Sequence, residues 1–365
     1  MVSDNTLNIM KKEIFFILLL SGSVFTCLAQ EPVAQPGQTP PQAQQVIGQR
    51  PPRGPVPGQM VGKDVPVHDP VMIRQDNIYY IFCTGNGITV FSSTDMKNWK
   101  MENPVFSQAP EWVIKELPRF RNSMWAPDIS FYKGNYYLFY AVSAFGRNTS
   151  CIGVARNKTL HPDSPGFKWE DMGCVIQSIP GRDNWNAIDP NLIVDESGVP
   201  WLNFGSFWGG MKLVKLNDDL KNIAYPQEWY TIARRFRDPF TDDSNAGGAE
   251  IEAPFIFRKG NYYYCFVSWD KCCSGLKSTY KVVAGRSVKV TGPYFDRDSI
   301  DLAKGGGSLI VKGDTNYVAV GHQAVVSFDG NDYLVYHGYD AHDNGRSKLV
   351  IKQLAWDKGW PAVIP

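Results

Sequence analysis

The chain has 365 residues, 43% hydrophobic and 13% aromatic, enough apolar material for one large or two ordinary domains, which excludes disorder for most of its length. Lys plus Arg number 37 against 36 Asp plus Glu, a formal net charge of +1. That balance provides no electrostatic footprint for nucleic acid or an anionic membrane, so a neutral or polar substrate fits better.

Residues 10–29 read MKKEIFFILLLSGSVFTCLA, with two lysines, an apolar run through Ile14 to Leu20 and then small residues. This is the layout of a secretory signal peptide over 1–29, with Met10 as its true start and cleavage after Ala29. The run is too short for a membrane span, and no later segment reaches the length required. A secreted or periplasmic monomer is therefore expected; lipid attachment at Cys27, which would give a cell-surface lipoprotein, is the rival reading. Residues 30–60, rich in Pro, Gln and Gly, cannot bury a core and are expected to form an extended, disordered leader before a folded domain over 61–365. Of the six later cysteines, Cys83, Cys151 and Cys265 lie in apolar runs that suit buried thiols, and Cys174 completes the even count. The adjacent Cys272 and Cys273 admit a vicinal disulfide, a buried pair or metal ligation.

From Val61 the chain is a succession of aromatic and β-branched runs broken at Gly, Asn and Asp, without an uninterrupted helical pattern. One unit recurs five times: a Pro-containing start, an apolar strand, a tight turn and an aromatic strand. The copies begin at His68 (HDPVMIRQDNIYYIFCT), Ala126 (APDISFYKGNYYLFYAVS), Ile188 (IDPNLIVDESGVPWLNFGS), Glu252 (EAPFIFRKGNYYYCFVSW) and Gly321 (GHQAVVSFDGNDYLVYHGY). Aligning Pro70, Pro127, Pro190, Pro254 and Ala324 gives spacings of 57, 63, 64 and 70 residues by subtraction, room for about four strands each. An all-β, five-bladed β-propeller follows; a two-layer sandwich with incidentally similar hairpins is the alternative.

A propeller directs the starts of its innermost strands to one mouth of a central channel, so Asp69, Asp189 and Glu252 are expected to meet there. A lone Asp before Pro usually makes a turn with its own backbone. Three carboxyls at repeat-equivalent positions, near Trp125, Trp185, Phe207 and Trp208, point instead to glycosidic bond cleavage, in which one carboxyl protonates the leaving oxygen and another activates water. Glu250 lies two residues before Glu252, but the repeat alignment favours Glu252.

The strings HDP, WAPD, NAIDPNLIVD, FGSFWGG, EAPF, SWDKCCSG and GH, running from about Val67 to Trp360, resemble the motifs of glycoside hydrolase family 43, specifically its endo-α-1,5-L-arabinanases. The resemblance implies a five-bladed propeller, cleavage of internal linkages of linear arabinan or arabino-oligosaccharides, and inversion at the anomeric carbon. Carried over by motif, Asp69 is the general base, Glu252 the general acid, and Asp189 raises the acid's pKa and orients it. His322 resembles a channel histidine that supports a hydrated calcium, directly or through water, although Gln323 stands where Asn is expected. Trp125, Phe145, Asn186, Ser206, Phe207 and Trp208 resemble positions lining the sugar subsites. His337 reads as structural, and His161 and His342 carry no specific signal. The rival within the enzyme class is exo action on the same scaffold, with residues 234–248 as the place for a wall across the groove. A binding-only propeller is the remote alternative, and the presence of all three carboxyls weighs against it.

Overall fold

Strands apolar on both faces must be covered on both faces, and here successive side chains of one strand enter different cores. In Asn135–Val142, Leu138, Tyr140 and Val142 join one cluster while Tyr137 and Phe139 join the next. Tyr262–Trp269 does the same, with Cys265 and Val267 on one side and Tyr264 and Phe266 on the other. The computed structural model describes residues 54–117, 120 and 123–364. The signal segment 1–29 with Cys27, and the leader as far as residue 53, lie outside the described residues.

Five antiparallel sheets follow one another along the chain, giving a five-bladed β-propeller. From the channel outward, blade 1 comprises Val71–Gln75, Ile78–Cys83, Thr89–Ser93 and Trp99–Met101, with Met60–Gly62 as an outermost strand. Gly58 N–H also donates to Met101 O (2.7 Å), so pairing begins just inside the stretch assigned to the leader. Blade 2 comprises Ser123–Tyr132, Asn135–Val142, Ser150–Asn157 and Glu170–Ser178, and Gly85–Asn86 pairs with its first strand. Blade 3 is Asn191–Val194, Pro200–Phe204, Met211–Lys215 and Trp229–Ala233. Blade 4 is Ile251–Lys259, Tyr262–Trp269, Lys281–Ser287 and Ser308–Lys312, and blade 5 is Tyr317–Phe328, Asn331–Asp340, Ser347–Asp357 and Trp360–Val363. The five repeated hairpins are thus the inner two strands of each blade. Among the described residues the one α-helix is the short Glu111–Glu116.

A core fills each of the five gaps between blades. The ring is closed where Val65, Val67, Met72, Ile81 and Trp99 pack against Val335 and Leu349 of blade 5. Leu349 N–H donates to Val65 O (2.9 Å), fastening the last blade to the segment that precedes the first.

The repeat register differs from the alignment in the fifth copy. Asp69, Ala126, Asp189, Ala253 and His322 all have left-handed backbones (φ 55°, 42°, 56°, 54° and 54°), marking one equivalent position per blade. Gln323, not Ala324, therefore occupies the place of the prolines. A proline cannot donate an N–H, and Gln323 carries the turn without one, so a match sought on Pro slipped by a residue. Glu252 likewise sits one residue before the marked position, beside Ala253 rather than equivalent to Asp69 and Asp189.

Candidate active site

The five left-handed residues ring the channel mouth. A non-glycine in this region carries steric strain, and its recurrence in every blade shows that the strand start requires it. The turn places Asp69, Asp189 and His322 side chains at the channel, while Ala126 and Ala253 leave space. Polar bonds link each blade to the next around this ring. Thr84 Oγ1 accepts from Ala126 N–H (2.8 Å), Asp128 accepts from Leu192 N–H (2.9 Å), and Asp189 Oδ2 accepts from Ala253 N–H (3.1 Å). Gln323 Nε2 donates to Ala253 O (2.8 Å), and His322 Nδ1 lies 2.9 Å from Asp69 Oδ1.

Asp69 is buried, and its carboxylate is surrounded by donors. His68 Nδ1 (2.8 Å) and His322 Nδ1 (2.9 Å) reach Oδ1, and Thr84 Oγ1 donates to Oδ2 at 2.6 Å. Burial alone would raise its pKa, but the charge of His322 and the hydrogen bonds from His322 and His68 hold it well below the usual carboxylate range. Asp69 is therefore an ionised acceptor. Asp189 faces the opposite balance. Burial, together with the charges of Glu252 and Asp69 and against the attraction of His322, pushes it up to about 8. His322 is raised to about 9: burial opposes its charge, but Asp69 and Asp189 prevail.

Glu252 is partly buried, and hydroxyls hold both its oxygens: Ser206 Oγ donates to Oε2 (2.8 Å) and Tyr280 OH to Oε1 (2.6 Å). Tyr280 packs over Gly321, where a Cβ would lie 2.1 Å from its ring, so glycine at that position is what lets the tyrosine reach the glutamate. Glu250 points elsewhere, 3.5 Å from Lys271 Nζ.

The six candidate sugar-lining residues are placed unevenly. Phe145 is 81% exposed, and Trp125 and Phe207 are half-buried. Asn186 is buried, with Oδ1 accepting from Ser150 Oγ (2.6 Å). Trp208 is also buried, its indole N–H donating to Asp243 O (2.9 Å), so its ring underlies the 234–248 loop instead of facing solvent. That loop is folded on Arg237, which reaches Asp243 Oδ1 (3.1 Å) and the carbonyls of Asp242 and Asn245, and it leaves Phe236 and Phe240 exposed.

Cys272 and Cys273 form a vicinal disulfide, and Cys83, Cys151, Cys174 and Cys265 are free. His68, Asp69 and His337 each bring a ligand atom within 4.8 Å of the others, a cluster capable of holding a divalent cation. Asp69 Oδ1 lies 2.8 Å from His68 Nδ1 and 3.8 Å from His337 Nδ1, and Asp69 N–H donates to His337 Nδ1 (3.1 Å), a contact that a cation on that nitrogen would displace. Thr84, Tyr280 and Tyr339 were not singled out by sequence. They lie outside the recurring strand starts, and their hydroxyls arrive from loops or from neighbouring blades.

The family model described as "Glycosyl hydrolases family 43" matches residues 64–361. An extracellular exo-α-(1→5)-L-arabinofuranosidase of Cellvibrio japonicus is 55% identical over 302 residues, 82% of this chain and 87% of that protein. An extracellular endo-α-(1→5)-L-arabinanase of Bacillus subtilis is 43% identical over 300 residues, covering 81% and 87% respectively. The structure of a Cellvibrio cellulosa α-L-arabinanase complexed with arabinohexaose is 54% identical with a TM-score of 0.81, covering 83% of this chain and 96% of that one. These findings overturn the expectation of internal cleavage, since the exo-acting relative is more similar to this chain than the endo-acting one. The physical reason is that the motifs supporting endo action encode the catalytic mouth, which both modes share.

Folded Asp189 keeps its proton up to about pH 8, whereas an unfolded aspartate ionises near 3.8. The folded state then holds a proton that the unfolded state releases. This contribution to stability is fully present below pH 3.8 and is lost as pH rises through about 8. Asp189→Asn retains an oxygen for Ala253 N–H but cannot ionise. It is expected to melt higher than the parent at pH 8 and close to it at pH 4; parallel melting curves across that range would contradict the assignment.

Proposed function

The chain belongs to glycosyl hydrolase family 43, and from that membership we propose that it is an exo-acting arabinanase or α-L-arabinofuranosidase that inverts configuration as it cleaves terminal α-1,5 linkages of linear arabinan and arabino-oligosaccharides. The observation that carries this reading is the meeting at one mouth of Asp69, held well below the usual carboxylate range, with a Glu252 held by hydroxyls on both oxygens. Asp69 is the general base that takes a proton from water as the water attacks the anomeric carbon. Glu252 is the general acid that gives its proton to the departing glycosidic oxygen. Ser206 and Tyr280 aim the acid. Asp189 orients the neighbouring backbone and keeps a proton beside Glu252, because burial and nearby negative charge oppose its ionisation.

Trp125, Phe145 and Phe207 offer aromatic surface to sugar faces, Asn186 and Ser206 supply polar atoms at the mouth, and Trp208 supports the subsite from beneath. Similarity to the Cellvibrio japonicus enzyme supports exo action, and the self-bonded loop 234–248, which leads into the strand bearing Glu252, supplies the wall. Export fits the extracellular relatives and an exposed disulfide. Among the described residues no helix is long and apolar enough to cross a membrane.

Calcium is the proposed cation, beside His322 in the channel. His322 Nδ1 is engaged by Asp69, and His322 lines a cavity of about 20 Å³ with Asp128, Asp189 and Gln323. Asp128 and Asp189 bring carboxyl oxygens to that lining, the donor type a hard cation takes. One imidazole with carboxyl oxygens, and no thiolate, suits calcium better than zinc. The bound ion would supply positive charge to the channel and take the place of the His322 proton.

Three measurements check this reading. On debranched linear arabinan, reducing ends should accumulate while viscosity hardly falls; a steep viscosity loss after few cuts would exclude exo action. Asp69→Asn and Glu252→Gln should each lose on the order of 100-fold or more in kcat with unchanged folding, and parent-like turnover would remove that residue from the mechanism. Exhaustive chelation should lower the melting temperature, and an unchanged melting temperature would exclude the cation.

A further inference from the structure

The 270–280 loop, between the second and third strands of blade 4, reaches the supports of both Glu252 and Asp69. At its end, Tyr280 donates to Glu252 Oε1 (2.6 Å). Near its start lies the Cys272–Cys273 disulfide, with Cys273 in the left-handed region (φ 64°) and its N–H donating to Tyr339 OH at 2.7 Å. Lys271 and Thr279 close the loop: Thr279 N–H donates to Lys271 O (2.9 Å), and Lys271 N–H donates to Thr279 Oγ1 (3.1 Å).

The directions of the bonds that meet at Tyr339 follow from two backbone donors. Asp69 N–H points at His337 Nδ1 (3.1 Å), so that nitrogen is bare and the ring proton sits on Nε2, which donates to Tyr339 OH at 3.2 Å. With the Cys273 N–H, this fills both lone pairs of the phenol oxygen. The phenol proton then goes to His68 Nε2 (3.0 Å). His68 must accordingly carry its own proton on Nδ1, aimed at Asp69 Oδ1 at 2.8 Å. A closed circuit runs from the Asp69 amide through His337, Tyr339 and His68 to the Asp69 carboxylate.

We propose that Tyr339 is a positioning residue for the base, and that the vicinal disulfide is the clamp that keeps Cys273 N–H on Tyr339 and so fixes the His68 tautomer. The proposal rests on the reading of Asp69 as general base. Joining adjacent cysteines in one small ring removes backbone freedom from Cys273, which an open loop would retain. Cys273 Sγ also lies 3.8 Å from His68 Nε2, so the clamp packs against the ring whose proton it directs.

The test combines kcat and KM on arabino-oligosaccharide with 15N imidazole spectra, for the parent, for Tyr339→Phe, and for the parent treated with dithiothreitol. The reagent gives two electrons and two protons to the S–S bond, leaving two thiols and its own cyclic disulfide. The parent should show His68 as the Nδ1–H tautomer. In both perturbed samples the Nε2–H form should appear and kcat should fall about 10- to 100-fold, with KM within about twofold, as expected for a misaimed base. A parent-like tautomer and kcat in Tyr339→Phe would overturn the role of Tyr339, and the same result after reduction would overturn the clamp. If Tyr339→Phe does not fold, reduction of the folded enzyme decides. Asp69→Asn separates the two levels: if it is active, the base assignment falls; if it is inactive while Tyr339→Phe turns over normally, only the present proposal falls.

Discussion

Burial on both faces of every blade is the constraint on which the rest of the molecule depends. A sheet that sends Tyr80 and Phe82 to one side and Ile81 and Cys83 to the other cannot stand at an edge, because one of those faces would meet water. Five such sheets satisfy one another when the fifth packs on the first, as Val335 and Leu349 do on Val67 and Trp99. Closure then leaves the five innermost strands around one axis, and their starts have nowhere to go but a shared mouth. The catalytic geometry is a by-product of solving the packing problem.

At that mouth the same turn is used for unlike chemistry. The left-handed residue is Asp in two blades, His in one and Ala in two. The two alanines leave room where a fourth and fifth polar group would crowd the channel. Because the ring is buried, small differences in neighbours produce large differences in charge state. Asp69, facing two imidazoles and a threonine hydroxyl, is held well below the usual carboxylate range, whereas burial and the carboxyls near Asp189 outweigh His322 and push it up to about 8. Two aspartates in equivalent backbone settings are thus shifted in opposite directions by their neighbours.

Some supports of the carboxylates come from other blades. Glu252 on blade 4 is aimed by Ser206 from the end of blade 3, and Asp69 on blade 1 by His322 and by the Tyr339–His337 pair from blade 5. Blades 3 and 5 therefore each donate part of a neighbour's site. The inter-blade cores maintain this geometry, since sliding one blade past another would break polar contacts and apolar packing together.

The hairpin repeat and its both-face hydrophobicity were legible along the chain, because they are local patterns with period two, and they specified the number of blades. Asp69, Asp189 and Glu252 were legible as a set because the repeat put them at strand starts. The one-residue register of Gln323, and the offset of Glu252 from the aspartates, were not, because a bulge changes spacing without changing composition. Nor were Thr84, Tyr280 and Tyr339, whose hydroxyls matter only through partners 15, 28 and 271 residues away. The charge states depend on distances across the channel. Sequence by itself determined the five-fold architecture and the placing of three carboxyls at strand starts, since both are written in local order; protonation and aim were decided by tertiary structure alone, since each is a property of atoms that only closure of the ring brings together.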